Sequence, residues 1–99
     1  MLDFYIIEDD QATPNYPEEF GLQFVGGIDY GTFTNLQSKG IIDQRFDYYS
    51  DFRLNTVLVK QIQEKILQKE LQADTDVIML IQFFNIANEK ESGLIAYGD

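Results

Sequence analysis

The chain contains no cysteine, no histidine and no tryptophan, and only two of its 99 residues are proline. Without cysteine there is no disulfide framework, no thiolate metal ligand and no thiol nucleophile. Without histidine, zinc sites of the usual kind, Ser-His-Asp and Cys-His catalysis, and the commonest general base near neutral pH are all excluded. Long apolar runs are also missing: the longest is five residues, Val77 to Ile81, too short to span a bilayer. The opening Met1-Leu-Asp-Phe-Tyr5 has no basic n-region, so the expectation is a cytoplasmic protein. Positive charge is scarce as well. Seven Lys and Arg stand against 17 Asp and Glu, a net charge of -10, which disfavours nucleic acid and anionic membranes and favours encounter with a basic partner.

What is present is apolar and aromatic. Hydrophobic residues make up 44% of the chain, with eight Phe and six Tyr, enough for one core and too many for a disordered acidic chain. A chain of this length buries roughly 60 to 65% of its unfolded surface. A single domain over residues 1–99 is expected.

The clearest periodic stretch is Arg53–Gln72. Leu58, Val59, Ile62 and Ile66 fall within roughly 100° of arc at helical spacing, so this segment reads as a helix with one dry face. Asn55 is its natural N-cap, because its side chain can accept from the free N–H groups of the first turn. A second strip, Val57, Leu67 and Leu71, is expected to be covered by the rest of the fold. Left uncovered, it would serve a partner or a second copy of the chain.

Taken in order, Leu2–Glu8 is short, aromatic and β-branched, a first strand stopped by Asp9-Asp10. Pro14 and Pro17 make Gln11–Glu19 an extended surface loop. Phe20, Leu22 and Phe24 alternate, predicting a second strand over Phe20–Val25 with those rings buried, ended by a turn at Gly26-Gly27. Ile28–Lys39 spaces Tyr30, Phe33 and Leu36 on one helical face, with Asp29 as cap and Gly40 at the left-handed position after the last turn. Asp74 or Thr75 can cap a further helix over Val77–Glu91, whose narrow polar face is Gln82, Asn85 and Glu89; a hairpin from Val77–Phe84 to the chain end is the alternative. Leu94–Tyr97 closes the chain as a strand. The sum is an α+β fold, a small sheet of about three strands covered by two or three helices on one face.

Candidate chemistry is sparse. Glu8-Asp9-Asp10 and Asp74-x-Asp76 carry oxygens that suit hard cations, but neither has calcium-loop spacing, so no metal or other cofactor is assigned. Two carboxylates can also cleave glycosides, but that needs a cleft that a domain this small rarely affords, and no enzyme activity is expected. The segment Asp43–Arg53 interleaves Phe46, Tyr48, Tyr49 and Phe52 with Asp43, Asp47 and Asp51. Rings supply rigid contact area and acids supply charge complementarity, the needs of a polar binding surface. The competing account puts the rings in the core and only the acids in water.

The short Phe/Tyr-rich first strand, Phe24-Val-Gly-Gly-Ile-Asp-Tyr30, Phe46-Asp-Tyr-Tyr-Ser-Asp-Phe-Arg53 leading into a helix, and the terminal Gly93-Leu-Ile-Ala-Tyr-Gly-Asp99 together resemble the small acidic immunity proteins encoded beside bacterial polymorphic toxins. The resemblance implies a cytoplasmic inhibitor that binds a toxin domain; it transfers no residue roles. Many toxin domains that attack nucleic acid must be basic to hold their substrate, and an inhibitor can place carboxylates where phosphates would sit. The residues expected to do so are Asp43, Asp47, Tyr48, Tyr49 and Asp51, joined by Glu8, Asp9 and Asp10. The alternative is a structural or regulatory interaction domain, with a homodimer formed through Val57, Leu67 and Leu71.

Overall fold

The computed structural model describes residues 1–98; Asp99, the last residue of the closing segment, lies outside them. Four antiparallel strands form one sheet in the order β2-β1-β4-β3, where β1 is Leu2–Ile7, β2 Phe24–Ile28, β3 Phe52–Leu54 and β4 Gly93–Tyr97. Three helices, α1 Tyr30–Ser38, α2 Thr56–Gln68 and α3 Thr75–Glu89, pack on one face, with α3 in contact with both α1 and α2. This is the α+β arrangement expected, with one strand more. The extra strand is β3, three residues that the sequence assigns to an aromatic loop and the start of a helix; only pairing with β4 makes them a strand.

Alternation sorts the sheet's two faces. Leu2, Phe4 and Ile6 of β1, Leu94 and Ala96 of β4, and Phe52 and Leu54 of β3 point toward the helices, where they meet Val59, Ile62 and Ile66 of α2 and Val77, Leu80, Phe83 and Phe84 of α3. Asp3, Tyr5, Ile7, Arg53, Ile95 and Tyr97 point the other way. Ile7 and Ile95 are nevertheless buried, because the long connection from β1 to β2 lies across that face as a strap. Arg53 holds it: its guanidinium donates to Gln11 O at 2.7 Å, Glu8 O at 2.9 Å and Thr13 Oγ1 at 3.0 Å. The Tyr97 hydroxyl donates to Pro14 O at 3.0 Å.

The helices begin and end by local rules. Asn55 accepts from Leu58 N and Asp29 from Thr32 N, each the expected N-cap, and Asp74, one of the two candidates, accepts from Asp76 N and Val77 N. All three close with the same paired bonds: Ile41 N to Leu36 O, Leu71 N to Ile66 O and Ser92 N to Ala87 O, with Gly40, Glu70 and Glu91 at positive φ between. These caps trim the stretch Arg53–Gln72 to Thr56–Gln68, and they place residues 77–89 in α3 rather than in a hairpin arm.

Two expectations are corrected. The second strand is Phe24–Ile28, displaced from Phe20–Val25, and Phe20 and Phe24 are 56% and 55% exposed rather than buried. Gly26-Gly27 lies inside it instead of breaking it, because the pair bonds to Phe4 and Asp3 of β1; a Cβ on Gly26 would sit 2.5 Å from the Phe83 ring, so the missing side chain is where α3 approaches. The strip on α2 is corrected too. Leu71 folds back onto the core, but Val57 and Leu67 are 59% and 61% exposed, since the single helix layer leaves that flank bare.

Candidate functional site

Residues 43–51 are built as two turns. Asp43 Oδ1 accepts the Arg45 N–H at 2.8 Å and Asp47 Oδ1 accepts the Tyr49 N–H at 3.1 Å, so each aspartate fastens the turn that follows it. Gln37 of α1 donates to Asp43 O and Phe46 O, gluing the first turn to the helix. The C-terminal end of β4 holds the second: Gly98 N donates to Asp51 Oδ1 at 3.0 Å.

These turns divide the rings. Phe46 and Phe52 stack with centroids 4.5 Å apart and pack on the core, while Tyr48 is buried edge-on against Phe33 at 5.7 Å. Tyr49 turns outward and is 61% exposed. It stacks with Tyr30, 56% exposed, at 6.3 Å and 25°, and both stand perpendicular to Tyr48. Two exposed tyrosines therefore rest on a buried one, in a chain of ring contacts that runs through Phe33, Phe52 and Phe4 to Phe83 of α3. Such rings contribute contact area with little side-chain freedom left to lose. Asp47 and Asp51 flank them on the chain, exposed and without a basic ion-pair partner among the described residues.

The segment divides between core and solvent. Tyr48 belongs to the core, and Tyr49 with the three aspartates faces solvent. Tyr30, which helical spacing puts with Phe33 and Leu36, is the residue that sequence reasoning missed: it opens α1 at the rim of the core, one step beyond its cap.

The other acidic cluster is elsewhere. Asp51 precedes β3 at the end of the sheet where β1 begins, and Glu8 follows the opposite end of β1, about 15 Å away by strand rise. The structure does not bring the two groups together. Asp9 is moreover engaged in the fold. Its carboxylate accepts from the Thr56 hydroxyl and N–H, tying β1 to the first turn of α2, and these bonds hold it below the usual carboxylate range. Glu8 and Asp10 remain exposed. Asp74 and Asp76 are likewise occupied. Asp74 pairs with Lys39 and caps α3, its pKa lowered first by the Lys39 bond, while Asp76 accepts from Asn35 Nδ2 at 2.7 Å and Thr32 Oγ1 at 3.3 Å. Among the described residues no group of three or more acids is arranged to hold a metal ion.

A second set of rings crosses the outer face. Phe24, Tyr5 and Tyr97, on the adjacent strands β2, β1 and β4, meet edge to face at 5.4 and 5.8 Å. Partial burial raises the pKa of both tyrosines, and carboxylates raise it further: Asp3 and Glu18 for Tyr5, Asp51, Glu19 and Glu18 for Tyr97, where Arg53 opposes. Period-two alternation in β1 pointed to this face, but nothing local said which strands would lie beside it.

No helix among the described residues is long and apolar enough to cross a membrane. Val57 and Leu67 leave a small apolar flank on α2, and Leu67 lines a shallow depression with Ile66 and Ile81. No protein-family model, curated protein or solved structure matches this chain.

Proposed function

We propose that this protein is an immunity-type inhibitor, which binds a basic toxin domain through an acidic and aromatic surface and carries out no catalysis. The observation that supports the reading is the Tyr30–Tyr49 pair, two large rings more than half exposed on a buried support, with Asp47 and Asp51 beside them in a chain of net charge -10. Exposed rings on a rigid base are suited to act as anchors, and unpaired acids speed and orient the approach of a cationic surface. Asp43, with its side chain at the loop's first turn, extends the acidic rim. A homodimer through Val57 and Leu67 is the alternative; mutual repulsion of two chains of like charge would have to be overcome by a small apolar strip.

The test couples capture with rescue. Immobilised protein is exposed to lysate of its own source and washed at low salt and at about 0.5 M salt, where surface attraction is screened. The gene of a basic partner that elutes is then expressed in a bacterial host. Growth arrest relieved by co-expression of the wild-type chain, and not of Tyr49→Ala, is the expected result. Asp47→Asn/Asp51→Asn keeps the oxygens that accept from Tyr49 N and Gly98 N and should leave the melting temperature nearly unchanged while weakening capture. A captured protein that is harmless, or whose toxicity the chain does not relieve, refutes the inhibitor reading. Sedimentation showing a concentration-dependent dimer dissociated by Leu67→Lys supports the alternative.

A further inference from the structure

We infer that the contact surface does not stop at Tyr30 and Tyr49 but continues round Asp51 onto the outer face of the sheet, where the Phe24–Tyr5–Tyr97 row receives a cationic segment of the same basic partner. This rests on the reading above and adds where the partner lies.

The first argument is size. A fully buried aromatic side chain contributes about 150 to 250 Å², so two tyrosines a little over half exposed offer roughly 200 to 300 Å². A stable interface needs about 800 Å² from each partner. The tyrosine pair supplies a third of that, and the surface must extend in some direction.

Charge chooses the direction. On the α1 and α2 side of the loop, Arg45 lies over the Phe46 ring, 4.8 Å from its centroid, and shares a depression with Lys65 and Asp43, two cations to one acid. That side attracts a basic partner less than a face where acids prevail. On the other side, Asp51 is fastened to the end of β4, one residue beyond Tyr97, so the acid joins the loop to the outer face. Glu18 and Glu19 on the strap and Asp3 on β1 add charge around the row. Arg53, the cation that opposes these acids at Tyr97, has its guanidinium turned into the strap by three hydrogen bonds.

The rings are also prepared for contact. Phe24 is 55% exposed, while Tyr5 and Tyr97 are half-buried and fixed by their edge-to-face neighbours, Tyr97 further by its bond to Pro14 O. A Lys or Arg side chain laid on such rings gains cation–π attraction as well as the nearby carboxylates.

Nona-arginine serves as the probe, titrated at low salt into the ¹⁵N-labelled chain. Backbone amide shifts are expected at 3–5, 24–27 and 96–98 together with 49–51, and Phe24→Ala/Glu18→Gln/Glu19→Gln, which changes only exposed side chains, should weaken binding about tenfold. Tyr49→Ala is the reference variant, and unchanged shifts of the core residues verify that each variant folds. Shifts confined to other surfaces, no saturable binding, or less than a twofold effect of the triple variant overturns the inference. If the outer-face variant then binds the captured toxin as tightly as wild type while Tyr49→Ala does not, the inhibitor reading stands and its extension fails. If neither variant matters to the toxin, both fall.

Discussion

Arg53 is the side chain on which the strap depends, and its replacement by methionine gives a quantitative test. Methionine keeps much of the apolar stem but removes the donors to Gln11 O, Glu8 O and Thr13 Oγ1. Hydrogen bonds from a charged donor contribute about 1.5 to 3 kcal/mol each when buried. Arg53 is only half-buried, and a loosened strap lets its carbonyls return to water, so about 1 kcal/mol per bond is the better figure. Arg53→Met is therefore expected to destabilise the fold by about 2 to 3 kcal/mol, a fall in melting temperature of roughly 10 to 20 °C for a chain of this size. Arg53→Lys, with one compact ammonium in place of a fork, should lose about half as much. Urea unfolding should show a lower midpoint at unchanged slope. Amide hydrogen exchange should quicken at Gln11, Glu19, Gly21 and Leu22, whose N–H groups bond within the strap. A loss below about 0.5 kcal/mol with strap exchange unaltered would show that the strap is held by its apolar contacts with Ile7 and Ile95 instead.

Glu70 and Glu91 occupy left-handed positions with φ of 55° and 51°, where a side chain is crowded. Glu70→Gly and Glu91→Gly should each stabilise by about 0.5 to 1 kcal/mol in thermal melts, and a loss of stability would contradict the cap assignment. Gly26→Ala would place a Cβ 2.5 Å from Phe83 Cε1, on a ring that also packs at 5.4 Å from Phe4. A cost of about 1 to 3 kcal/mol is expected from the repacking, and an unchanged urea midpoint would refute the close approach. Asp9, Asp29 and Asp74 are held below the ordinary carboxylate value of 3.8 by the Thr56 hydroxyl, the Thr32 N–H and the Lys39 ammonium respectively. A lowered folded pKa means their contribution is present above 3.8 and disappears as pH falls through the lowered values. Melting temperature should therefore drop below about pH 4, less steeply in Asp9→Asn, and a flat profile down to pH 2 would exclude these bonds as a source of stability.

Most of what is local was legible. Asn55, Asp29 and Asp74 cap their helices because a short polar side chain at the chain's entry reaches N–H groups two or three residues on, a matter of covalent geometry. Gly40 closes α1 for a similar reason. The dry faces of α2 and β1 follow from periods of 3.6 and 2, and Gln82, Asn85 and Glu89 do line the exposed side of α3.

The candidate site was legible in part. Asp43, Asp47, Asp51 and Tyr49 face solvent as the segment's alternating character implied, but the same alternation could not say that Tyr48 would be taken into the core by Phe33, or that Tyr30 would come to rest beside Tyr49, 19 positions along the chain. Local pattern determines how a residue is oriented within its own element. What lies opposite is decided by pairing at long range: β3 exists because β4 is beside it, Gly26 stays in a strand because Phe4 of β1 is beside it, and Asp9 is spoken for because Thr56 lies within reach across 47 residues. The sequence by itself determined α1 and α2 with their caps, the acidity and the α+β class of this protein, while it left Val77–Glu91 open between helix and hairpin. Only the tertiary structure decided which rings and which acids are left exposed, because exposure is a property of what covers a side chain and never of the side chain alone.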